Sequence, residues 1–131
     1  MELSGPCYAP AVSWSGAVVA ICRLEAGGDE GAFVTGRNWR HDPVDRRVLE
    51  LTQATELERI WEELPDLESM RCHIPRHGIE VSRDGLLVLR AAICFECNNA
   101  SIATPQGYDM RAFDGASAEA VGLHRLLESL L

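Results

Sequence analysis

The residues between Cys72 and Cys97 hold most of the chain's reactive chemistry: Cys72, His73, His77, Cys94 and Cys97. Thiolate sulfur and imidazole nitrogen are the donors of a tetrahedral zinc site, which commonly draws them from two short clusters at the base of a hairpin. Cys72 and His77 form a Cys-x4-His arrangement, and Cys94 and Cys97 a Cys-x2-Cys pair. Cys72, His77, Cys94 and Cys97 are therefore the candidate metal ligands, with zinc the cofactor that suits them. His73 is an alternative donor, although a ligand pair adjacent in sequence is geometrically awkward.

The same residues admit other chemistries. Cys94 and Cys97 can be read as a dithiol that cycles to a disulfide, but no amphipathic helix begins at Cys97 to lower a thiol pKa, and Glu96 between them disfavours a thiolate. A hydrolase would use Cys94 or Cys97 as nucleophile and His77 as base. A catalytic zinc would keep one open position, with Glu96 as base. Against all of these stands burial, since free cysteine packs as a small hydrophobe. That reading is preferred for Cys7 and Cys22, which lie far from the group in sequence.

The elements that would position these residues follow from periodicity. From Gly78 to Ile93 the hydrophobic period is two, and Arg83-Asp84-Gly85 marks a hairpin turn whose closed base gathers the cysteines. A three-residue turn, pairing Val81 with Leu87 and Ile79 with Leu89, is expected because it gives a continuous apolar face. Ala11 to Leu24 reads as a strand or a hairpin bent near Ser15-Gly16, Gly27-Gly28-Asp29 as a turn, and Ala32 to Thr35 and Arg47 to Leu51 as further strands. The loop Gly36 to Asp45 joins that last pair, broken at Asp42-Pro43. Thr55 and Glu58 form a capping box for a helix carrying Leu57, Ile60, Trp61 and Leu64, with Glu56, Glu62 and Glu63 outward. Asn98 to Gly107 reads as loop or short strand and Tyr108 to Phe113 as a strand. A last helix is capped by Ser117, with Glu119 in its first turn, a buried stripe of Ala120, Leu123, Leu127 and Leu130, and His124 on the polar side. The expected fold class is α+β, a single domain of residues 1–131, with an antiparallel sheet and two amphipathic helices packed on one face.

Composition narrows the function. A chain of 131 residues with 47% hydrophobic and 24% charged residues can bury a core without staples. A net charge of −8 argues against a nucleic-acid partner, because phosphate affinity comes from clustered basic residues. All twelve basic residues are Arg, with no Lys, which reads as a compositional bias. No apolar run is long enough for a membrane span or signal core, so a cytoplasmic location with reduced thiols is expected.

The stretch Arg71-Cys72-His73-Ile74-Pro75-Arg76-His77-Gly78, then the Asp84-Gly85 hairpin and Cys94-Phe95-Glu96-Cys97-Asn98, resembles a family of small bacterial proteins with no assigned activity. The resemblance covers Arg71 to Asn98, and more loosely Phe113-Asp114 and the final helix. It implies that Cys72, Pro75, Gly78, Cys94 and Cys97 act as one unit, and that an aromatic can stand where His77 stands. The function expected is a non-enzymatic binding or regulatory module, of the kind an immunity or accessory protein provides, with a protein partner and a structural Cys/His cluster. The alternative is a thiol-disulfide or zinc-dependent enzyme using the Cys94-x2-Cys97 pair.

Overall fold

The computed structural model describes residues 13–27, 31–35, 40–67 and 73–131. Cys7, Gly28-Asp29, the first four residues (36–39) of the expected Gly36 to Asp45 loop, Glu68, Arg71 and Cys72 lie outside them. The order of elements is β1 (Val18–Ala26), β2 (Phe33–Val34), β3 (Arg40–Val48), α1 (Leu51–Glu63), β4 (Asp66–Leu67), β5 (His77–Arg83), β6 (Leu86–Cys94), β7 (Asn99–Thr104), β8 (Gly107–Phe113) and α2 (Ala118–Leu130). The strands form one eight-stranded antiparallel sheet in the order β2-β3-β1-β5-β6-β7-β8-β4. The chain is thus α+β with the sheet dominant. No helix among the described residues is long and apolar enough to cross a membrane.

Strand alternation gives the sheet two chemically different faces. Val19, Ile21, Ile79, Val81, Ala91, Ile93, Ala100, Ile102 and Phe113 share one core with Leu57, Ile60 and Trp61 of α1 and Ala120, Leu123 and Leu127 of α2. This is the core face. On the reverse face Cys22, Leu24, Phe33 and Ala92 form a second, smaller cluster. Gly78 also belongs there: a Cβ added to it would meet Cys22 Sγ and Phe33 Cε2 at 2.9 Å, so only glycine lets β1 and β2 close over β5.

The hairpin β5–β6 differs from expectation in register. Its turn has two residues, Asp84 and Gly85, both with positive φ (54° and 79°), the left-handed geometry that a two-residue hairpin turn needs. A bulge between Val81 and Ser82 in the pairing then places Val81 opposite Leu89 and Ile79 opposite Ala91. The extra residue restores the apolar face that an unbulged two-residue turn would have broken.

Both helices are capped, and one begins earlier than its pattern predicts. For α1 the capping box is Glu50 with Gln53, whose Oε1 accepts from Glu50 N at 2.9 Å. Thr55 lies within the helix and donates to the Leu51 carbonyl. The expected strand from Arg47 to Leu51 ends at Val48, and Asp42-Pro43 continues β3 where a break was expected. Pro43 is tolerated because β2 pairs only with Arg40 and His41, so its missing N–H leaves no partner unsatisfied there. For α2, Ser117 Oγ accepts from Ala120 N at 3.1 Å. Its other end has no basic residue of its own, and Arg47 of β3 donates to the Leu130 carbonyl at 2.8 Å instead.

Candidate metal centre

The register of β5 and β6 sorts the expected ligands. His77 lies opposite Ile93, a core-face residue, so its ring shares that face. Cys94, the next residue, lies opposite Asn99 and points to the reverse face. The imidazole and the Cys94 thiol are thus on opposite sides of the sheet. Cys94 is a free, buried thiol whose sulfur accepts from Cys97 N at 3.1 Å, across a turn that Asn98 closes in the left-handed conformation (φ 58°). Cys97 is disulfide-bonded to a partner outside the described residues, and a disulfide sulfur is no metal ligand. Among the described residues, the turn brings Cys94 and Cys97 together; His77 does not join them.

On the reverse face His73 is held between Asn99 and Ser101, alternate residues of β7. Its Nδ1 lies 2.5 Å from Asn99 Oδ1 and its Nε2 3.1 Å from Ser101 Oγ. An amide oxygen only accepts, so Nδ1 carries the proton and Nε2 accepts from the hydroxyl. The connectivity is that of a nucleophile, base and orienting amide, but Ser101 is 1% exposed and Asn99 0%. A hydroxyl sealed in this way secures the irregular segment 73–76 that leads into β5. Nearby Thr35 Oγ1 and His41 Nδ1 pair at 2.8 Å, and burial pushes the pKa of both His73 and His41 down.

The core face carries a different group. His77 is 6% exposed, and its Nε2 pairs with a carboxylate oxygen, Oε2, of Glu128 on α2. The other oxygen, Oε1, takes Arg23 Nη2 at 3.3 Å, and Arg23 Nη1 lies 3.6 Å from Asp45. Arg23, His77 and Ile93 form one row across β1, β5 and β6, which is why guanidinium and imidazole reach the same carboxylate. Burial holds the His77 pKa below its ordinary value despite the Glu128 carboxylate. The His77 hydrogen bond, aided by Arg23, lowers that of Glu128. At neutral pH the pair is therefore a neutral imidazole donating from Nε2 to a carboxylate. His77 Nδ1 is then a bare acceptor, buried and without a hydrogen-bond partner.

His124, one turn before Glu128 on α2, completes the group. Its ring stacks on Phe95 at 4.2 Å between centroids and lies edge-on to His77 at 5.3 Å. His77, His124 and Glu128 each offer a ligand atom, and these lie within 4.8 Å of one another. Two imidazoles and a carboxylate form a donor set that zinc and similar divalent ions accept.

Of this group, sequence reasoning finds only His77. It assigns His124 to the polar side of α2, and the residue is indeed exposed, but its ring also covers His77. The available signal was the His124-x3-Glu128 spacing, which aligns two donors along one helix edge. No protein-family model, curated protein or solved structure matches the chain.

Proposed function

We propose that the chain is a non-enzymatic binding or regulatory module that takes a divalent cation, zinc being the best suited, at His77, His124 and Glu128. The observation that carries this reading is the convergence of three donors from β5 and α2 within 4.8 Å.

The reading takes both helices as covering the core face, which their shared cluster with the strands supports. A cation between His77 and α2 would then fix the helix on the sheet. A protein partner is part of the same proposal. The disulfide at Cys97 departs from the reduced thiols expected of a cytoplasmic chain, since disulfides persist in oxidising compartments, and a cytoplasmic location is not part of this proposal.

The test is calorimetric titration of the full chain with zinc. Single-site binding is expected, weakened about tenfold or more by either His124→Ala or Glu128→Gln, both exposed positions whose change leaves the core intact. Cys94→Ser is expected to have no effect. Zinc binding that survives both α2 substitutions and is lost on Cys94→Ser would return the site to the cysteines and overturn the proposal.

A further inference from the structure

The proposed cation site has an open side, and the chemistry beside it selects what binds there. Three protein ligands leave a zinc-type cation at least one free coordination position. His124 and Glu128 are exposed while His77 is buried, so that position faces solvent. Arg23 stands in the same row as His77 and reaches the other oxygen of the same carboxylate at 3.3 Å. A guanidinium has five N–H donors in a planar fork. Asp45 lies 3.6 Å from Arg23 Nη1, and the Arg23 side chain is 37% exposed, so the guanidinium is open to solvent.

Resting on the cation reading, we infer that the loaded site binds an oxyanion, a phosphate or carboxylate group of a small ligand, with one oxygen on the cation and another on Arg23. The charges set the order of events. Without the cation, Glu128 and Asp45 flank Arg23 and repel an anion. With it, Glu128 shares its charge with the ion, its hold on Arg23 weakens, and the guanidinium and the cation present two positive groups side by side. Arg and a metal ion together form a recurrent clamp for such oxygens. The anion therefore binds after the cation, and by linkage each tightens the other.

Cobalt(II) in place of zinc makes the site visible, because the d–d spectrum reports the ligands on the ion. The full chain is titrated with cobalt(II) alone, then with inorganic phosphate and, separately, acetate. The expected result is a changed spectrum and cobalt affinity raised about threefold or more by one of the two anions; phosphate would mark a phosphate-bearing ligand and acetate a carboxylate. Arg23→Gln should bind cobalt alone at least as tightly, since a nearby positive charge is gone, and lose the anion effect. Arg23→Lys should restore part of it. Cobalt binding with no response to either anion, or a response unchanged in Arg23→Gln, overturns this inference and leaves the cation site standing. Failure to bind cobalt overturns both.

Discussion

Among single residues, Cys22 and His77 illustrate what burial does to reactive groups. Cys22 is 2% exposed, and burial, with the Glu80 charge adding to it, pushes its thiol up to about 12. At pH 8 only about one molecule in ten thousand then carries a thiolate, the form that reacts with alkylating agents. Treatment of the native chain with iodoacetamide at that pH, followed by peptide mass mapping, should leave Cys22 unmodified until denaturant is added; fast native labelling would show that β1 is not packed as described. The core-thiol expectation for Cys22, made from its distance in sequence from the other cysteines and histidines, agrees with its burial. The face of His77 was readable too: the expected and the observed registers differ by two residues, and both put His77 with Ile79 and Val81 and Cys94 on the other side. What the strands could not show is which edge of α2 covers His77.

At the scale of elements, caps and turns were legible where a side chain meets its own backbone. Ser117 and Glu119 announce α2, and the helix starts where they say. Replacing Ser117 by Ala should lower the unfolding free energy by about 1 kcal/mol, measured by urea denaturation; a change near zero would mean that the hydroxyl's hydrogen bond to Ala120 contributes nothing. The start of α1 was misread because two boxes compete. Thr55 with Glu58 has the more familiar chemistry, but Glu50 with Gln53 follows closely on β3, and capping there starts the helix five residues earlier. The two-residue strands β2 and β4 owe their existence to neighbours already in place. Arg111 of β8 shows this for β4: it binds Asp66 at 2.6 Å and the Leu64 and Trp61 carbonyls at the end of α1, a contact that no local pattern announces.

For the molecule as a whole, fold class and the large core followed from periodicity, whereas the site required knowing which helix edge rests over which strand row. Its acid response also belongs to this scale. His41 and His73 are held below their ordinary pKa by burial, so between that lowered value and about 6.5 the unfolded chain binds more protons than the native one. Stability should be constant above about 6.5 and fall as the pH drops below it. Urea midpoints of the wild type and His73→Gln, compared at several pH values from neutral down to about 5, should show a smaller loss in the variant; equal losses would remove His73 from this account. The final consequence concerns β3. Beyond its two pairs with β2, the outer edge of this strand has no strand neighbour among the described residues, and an open edge is a template on which further chains can polymerise. Pro43 removes a donor from that edge, Asp45 turns it aside with a left-handed φ of 53°, and Arg46 and Arg47 add charge. The residues that seemed to interrupt a strand are the ones that end the sheet's growth at a single molecule.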